Sequence, residues 1–180
     1  MPVTSRQRVV VMSQPFPDPE HEAGRRGAEA LAAERGGHLP WCGPAAVALA
    51  SGCSYARACD LLRAASPAHY PATGEIVTAY WRDVVAALGM AGVRCTPLPL
   101  SDLPFAGRPT LLGLARRGGL EPGLYLVRVT GHFLLLRLHG FGLAQLHDNR
   151  LSGAVLTART HGRCRVSHVA RLGRALPAQG

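Results

Sequence analysis

Residues 124–148 read LYLVRVTGHFLLLRLHGFGLAQLHD and indicate the class of fold. Three apolar runs are separated by short Gly-containing breaks, a pattern typical of antiparallel strands joined by tight turns. The predicted strands are 124–129, 133–138 and 143–146. Two further strands, at 154–158 and 165–170, are predicted on either side of a turn at 160–162.

The chain before this region is predicted to be helical. Gly43-Pro44 followed by small apolar residues to Ala50 predicts a helix buried on every side, with proline in its first turn. Ser54 is expected to cap a second helix through about Ala65. Thr73 is expected to cap a third helix, and a short one is expected at 110–117. Helices first and an antiparallel sheet afterwards indicate an α+β fold.

The length of 180 residues fits one domain. We expect residues 1–36 to form a partly flexible N-terminal arm and surface helix, with an edge strand at Val9–Met12. Residues 37–175 are expected to form a single domain, and 176–180 a tail.

Composition and charge exclude several classes of protein. Hydrophobic residues make up 47% of the chain, but no apolar run approaches the roughly 18 residues that span a bilayer. The start of the chain lacks the apolar core of a signal peptide, so a cytoplasmic location is expected. The net charge is +9 and all 20 basic residues are arginine, yet they are scattered. This distribution does not favour a nucleic-acid partner, and no membrane partner is expected.

Cys42 is the cysteine whose position suggests chemistry. The chain has five cysteines and no Cys-x-x-Cys spacing. Cys42 directly precedes Gly43-Pro44, where a helix is expected to begin. Unpaired amide groups of a first helical turn and the helix dipole favour the thiolate form. A nucleophilic thiolate also needs an imidazole to carry the proton, and a third group to orient that ring.

His132 and Asp148 are predicted to lie next to each other. His132 opens the strand 133–138, and Asp148 follows the strand 143–146. In an antiparallel hairpin the start of the first strand lies beside the end of the second. The pattern therefore brings together an imidazole and a carboxylate that are 16 positions apart in the sequence.

These motifs resemble those of papain-like cysteine peptidases. The likeness rests on Cys42-Gly-Pro-Ala-Ala at the head of a buried helix, Gly131-His-Phe opening a strand, and Asp148-Asn149 at the end of the next. It is closest to the double-glycine leader peptidase branch and its phage and prophage relatives. It covers roughly residues 41–149, with the same order of Cys, helices, His and Asp.

The resemblance implies a catalytic role for each residue of the motif. Cys42 would be the nucleophile, His132 the general base and then acid, and Asp148 the residue that orients His132, with Asn149 as the alternative. The family usually carries a Gln before the Cys that helps to bind the oxyanion, and none stands at 35–40. His38, or the backbone amide of Cys42, is the expected substitute.

The resulting hypothesis is a cysteine peptidase or related thiol acyl-transfer enzyme acting on a peptide or protein amide, with no metal or organic cofactor.

His161, Cys164 and His168 have a spacing that could bind zinc with a fourth ligand such as His147. Strand alternation separates His161 from the other two, so no metal site is predicted. Two alternatives remain open: a non-catalytic binding module of the same fold, such as a phage structural or accessory protein, and an Arg-rich nucleic-acid-associated protein. The oligomeric state is left open.

Overall fold

A computed structural model of the chain describes residues 26–100, 104–117 and 119–174. The predicted edge strand at Val9–Met12 and the predicted tail at 176–180 lie outside these ranges. Within them, no helix combines the length and the apolar character that crossing a bilayer requires.

Five α-helices occur in the described residues, and all of them precede the central strands of the sheet. Their bounds are α1 Ala28–Glu34, α2 Cys42–Ser51, α3 Tyr55–Ala65, α4 Trp81–Met90 and α5 Leu111–Arg116. The side chain of Ser54 accepts a hydrogen bond from the backbone N–H of Arg57, and that of Thr110 accepts one from Gly113. The Ser54 cap therefore stands where the sequence predicts it, and Thr110 caps the short helix predicted at 110–117.

Six described strands form one antiparallel sheet. They are β1 Val93–Pro97, β2 Gly123–Val129, β3 His132–Gly140, β4 Leu143–His147, β5 Ser152–Val155 and β6 Val166–Arg174. Their order across the sheet is β1-β6-β2-β3-β4-β5, so the last strand inserts between the first two. The α+β class predicted from the sequence is confirmed.

The sheet is covered on both faces, which explains why β2 and β3 read as nearly continuous apolar runs. Alternate residues such as Leu126 and Leu135 pack with α1 to α4. Their neighbours Val127 and Leu134 pack on the opposite face with Leu111 of α5. The helix α2 therefore lies between the other helices and the sheet, and its residues 43–50 are all buried.

The helix α1 packs on the same body. Leu31 is fully buried in the helical core cluster. The N–H of Ala28 donates to Ser152 Oγ at 2.8 Å, and the N–H of Tyr55 donates to a Glu34 carboxylate oxygen at 2.7 Å. The described part of the predicted N-terminal arm is thus joined to the sheet and to α3.

The prediction of a helix beginning after Thr73 is wrong. Residues 71–80 are irregular, and α4 begins at Trp81. The Tyr70 hydroxyl donates to the buried Asp83 carboxylate at 2.8 Å and accepts the N–H of Tyr80 at 3.2 Å. These bonds hold the segment in an extended path on which Ala79 crosses the start of α2. Tertiary contacts therefore override a local helical pattern.

Candidate active site

Cys42 is the first residue of α2, as the sequence predicts. Gly43 follows it because no larger residue fits: a Cβ at position 43 would lie 2.3 Å from the Cβ of Ala79. Pro44 has no N–H to lose in the first turn, where N–H groups lack intrahelical acceptors. The helix start thus leaves the backbone N–H groups of Cys42 and Gly43 directed away from the helix, beside the thiol.

The surroundings of the thiol favour the thiolate. Burial opposes ionisation of Cys42, but hydrogen bonds from the His132 ring and from the backbone N–H of Phe133 outweigh it. The positive charge of His132 acts in the same direction. The net result is a pKa of the Cys42 thiol below its ordinary value.

His132 lies at the start of β3 and contacts both Cys42 and Asp148. Its Nε2 is 2.9 Å from Asp148 Oδ2, and its side chain is 18% exposed, against 0% for Asp148. Burial alone would lower the pKa of His132. Hydrogen bonds to Asp148 and Cys42, together with their negative charges, instead raise it to about 9. Because Nε2 faces the carboxylate, Nδ1 is the ring nitrogen left for the thiol.

Asp148 is held as an ion by the turn after β4. Burial opposes its ionisation, yet the hydrogen bond from His132 and two backbone donors hold its pKa below the ordinary value. The N–H groups of Arg150 and Leu151 donate to Oδ1 at 2.7 and 2.8 Å. The pairing of β3 with β4 brings Leu135 opposite His147, so the hairpin places His132 beside Asp148 as predicted.

Asn149 holds the backbone before Cys42 and does not contact the His132 ring. Its Nδ2 donates to the carbonyl oxygen of Pro40 at 2.6 Å, and both residues are buried. The sequence offers Asp148 and Asn149 as partners of the His132 ring, and in the structure it is Asp148 that contacts the ring. Asn149 instead ties the turn after β4 to the segment that leads into α2.

His38 is not part of this cluster. Its side chain is exposed, and within the described residues no hydrogen bond, ion pair or ring contact joins it to Cys42 or His132. Its backbone N–H donates to the Arg35 carbonyl, and the N–H of Trp41 donates to the Tyr55 hydroxyl. An oxyanion role for the His38 side chain therefore has no geometric support, whereas the first-turn amides of α2 belong to Cys42 itself and to the residue that follows it.

His161 joins the site, which the sequence did not predict. Its Nε2 lies 3.0 Å from Asp148 Oδ2, and its ring stacks on that of His132 with centroids 4.8 Å apart. The sequence identified a turn at 160–162 but gave no signal for the direction in which it projects His161. The signal available in hindsight is a histidine before a glycine in a turn that returns toward β4.

The cluster His132, Asp148 and His161 has donor atoms within 4.8 Å of one another, a spacing compatible with a metal ion. Hydrogen bonds from both rings to one carboxylate oxygen already account for these contacts, so spacing alone does not identify metal ligands. The residues considered for zinc from the sequence are divided among different partners: His168 stacks on Trp81 at 4.9 Å, whereas His161 faces Asp148.

Comparison with known proteins finds no matching family model, no matching curated protein and no matching solved structure.

Proposed function

We propose that this chain is a thiol-dependent amide hydrolase with a papain-like arrangement, acting in the cytoplasm on peptide or protein substrates. Cys42 is the nucleophile, His132 carries the proton and Asp148 orients His132. The observation that carries the proposal is the 2.9 Å hydrogen bond between His132 and the buried Asp148 carboxylate, with the same His132 ring lowering the pKa of the Cys42 thiol. Motif order and this geometry support the same assignment independently.

The electrostatics of the cluster suit this chemistry. A lowered pKa of Cys42 and a raised pKa of His132 favour a thiolate–imidazolium pair near neutral pH. The thiolate attacks the amide carbonyl carbon, and the His132 imidazolium gives its proton to the leaving amine nitrogen. The resulting thioester is then attacked by water, whose proton passes to His132 as the carboxylic acid leaves and the thiolate returns. Substituting an amine for that water would transfer the acyl group instead.

The oxyanion that forms in these steps needs hydrogen-bond donors. The N–H groups of Cys42 and Gly43 at the start of α2 are suited to that role, because the helix gives them no acceptor. The side-chain donor usual in papain-like enzymes is missing from 35–40. Loss of one such donor lowers the rate by about 10²–10³, so we expect a slow enzyme.

A pool of fluorogenic peptide amides, read by fluorescence and by intact-mass spectrometry, tests the proposal. We expect slow amine release, and in samples quenched with acid during turnover we expect peptide mapping to place the trapped acyl adduct on Cys42. Cys42→Ser and His132→Gln should abolish both signals, while the matched control Cys53→Ser should leave them unchanged.

Asp148→Ala should lower turnover by about 10²–10⁴. Asn149→Ala should lower turnover only mildly, through a small loss of folded protein.

One observation favours a second function. The absence of a Gln from 35–40, together with the exposed position of His38, is what a binding module that kept the fold without the reaction would show. Peptides that bind with measurable affinity but give neither amine release nor an adduct on Cys42 would support that alternative. A reversed ranking of Asp148→Ala and Asn149→Ala would move the orienting role to Asn149.

A further inference from the structure

His161 has a defined place in the site but no role in the reaction proposed above. Its Nε2 and the Nε2 of His132 approach the same oxygen, Asp148 Oδ2, at 3.0 and 2.9 Å. The two rings are tilted by 22° and stack at 4.8 Å. The His161 side chain is 30% exposed, so it lies on the solvent side of a fully buried carboxylate.

The turn that carries His161 is built to place it there. His161 has φ 59°, a left-handed conformation that costs energy for any residue other than glycine. Gly162 follows because a Cβ there would lie 2.2 Å from the carbonyl oxygen of Thr157. The side chains of Thr157 and Thr160 cap the turn reciprocally. The contacts of Gly162 and of the two threonines therefore hold His161 in this strained conformation. Within the described residues, the side chain of His161 is hydrogen-bonded to Asp148.

Four N–H groups share the Asp148 carboxylate. Oδ1 accepts from the backbone of Arg150 and Leu151, and Oδ2 accepts from the two imidazoles. A carboxylate has about four lone-pair sites, so this acceptor is saturated. Each donor withdraws some of the negative charge that the others meet.

We propose that His161 is a positioning residue that acts through Asp148, taking part of the Oδ2 charge and so limiting how tightly Asp148 holds the His132 imidazolium. The inference rests on the proposed function, in which His132 must first gain a proton and then release it. An imidazolium held too tightly would stabilise the thiolate but would protonate the leaving amine more slowly. His161 balances these two requirements.

The expected direction follows from the shared oxygen. Without the His161 N–H, more of the Oδ2 charge faces His132, so the imidazolium becomes more stable and the pKa of His132 rises further. Asp148 stays in place because its backbone donors remain. Within the described residues, the titratable groups that interact with the His132 ring are Cys42 from α2, Asp148 after β4 and His161 from the turn.

NMR titration of histidine-labelled full-length protein measures this pKa directly, with the His132 signal assigned through His132→Gln and EDTA present to exclude metal. His161→Asn removes the interaction, because asparagine tolerates positive φ but is too short to reach Oδ2. His161→Gln restores an N–H at the same number of bonds from the backbone. We expect the Asn variant to raise the His132 pKa by about 0.5–1 unit, and the Gln variant to return it toward the wild-type value.

The outcomes separate this inference from the proposed function. If the His132 pKa is raised in the wild type but is unchanged or lower in His161→Asn, the role of His161 is overturned and the proposed thiol chemistry is not. An ordinary His132 pKa in the wild type would overturn both. A general loss of structure in His161→Asn would alter the His69 signal as well, and the ring-retaining His161→Phe then supplies the comparison: the same upward shift supports the inference, and its absence contradicts it.

Discussion

Alkylation of the five cysteines by iodoacetamide between pH 5 and 9 tests the electrostatics of the site. At pH 7, a thiol with a pKa near 8.5 is about 3% thiolate. Burial raises the pKa of Cys95 to about 11, which leaves about one thiolate in 10⁴ molecules at that pH. Burial also raises the pKa of Cys59, whereas that of Cys42 is lowered.

Because the pKa of Cys42 is lowered, its thiolate fraction at pH 6–7 exceeds that of an ordinary thiol, by about tenfold for each pKa unit until the thiolate predominates. Thiolates of low pKa are intrinsically less nucleophilic, which removes several-fold of this advantage. We therefore expect Cys42 to react faster than any other cysteine at pH 6–7, and to exceed Cys95, whose pKa is raised to about 11, by the largest factor.

Intact-mass spectrometry followed by peptide mapping measures the rates. His132→Gln should slow the reaction of Cys42 at pH 6–7 by about tenfold, because the thiol then loses its imidazolium partner. Cys42→Ser identifies the fast site. Equal labelling of all five cysteines, or faster labelling of Cys53 or Cys95, would refute the reasoning.

Three further predictions concern stability and can be checked by thermal or urea unfolding. Gly43→Ala forces a methyl group against the side chain of Ala79 and should lower Tm by roughly 4–10 °C. The control Gly89→Ala adds a methyl group that meets nothing within 4 Å, and it should raise Tm by about 2 °C. Equal effects of the two substitutions on Tm would contradict the packing argument. Asn149→Ala leaves the buried Pro40 carbonyl without its donor and should cost about 1–3 kcal/mol without changing the His132 titration; a shifted titration would instead place Asn149 in the site. Because the pKa of Asp148 is lowered by folding, its contribution is present above about pH 4 and lost as pH falls through the folded-state pKa. The stability gap between wild type and Asp148→Asn should therefore narrow in acid by about 1.4 kcal/mol for each unit by which folding lowers that pKa; a gap independent of pH would contradict it.

The parts of the fold that depend on local patterns could be predicted from the sequence. Gly-punctuated apolar runs identify β2, β3 and β4, and the geometry of a hairpin then places His132 near Asp148 whatever the rest of the chain does. The start of α2 at Cys42 follows equally from Gly43-Pro44 and the small residues behind it.

The parts that depend on distant contacts could not be predicted. The segment 71–80 has a helical pattern, yet Asp83 and the crossing over Gly43 hold it extended. The strand β6 lies between β1 and β2, and no local sequence pattern distinguishes this pairing from the alternatives. The contact of His161 with Asp148 depends on one positive φ angle, so the His-Gly pair marks the turn but not the direction in which the ring projects.

The order of the site residues along the chain has a consequence during synthesis. Cys42 leaves the ribosome 132 − 42 = 90 residues before His132, with Asp148 and His161 later still. At translation rates of about 5–20 residues per second, the thiol spends roughly 5–18 s without its imidazole. Throughout that interval Cys42 lacks the partner that stabilises its thiolate. The environment that lowers the pKa of Cys42 is therefore complete only when β3 has been made and α2 has docked on it, so the order of these residues along the chain keeps the thiol without its imidazole while most of the chain is synthesised.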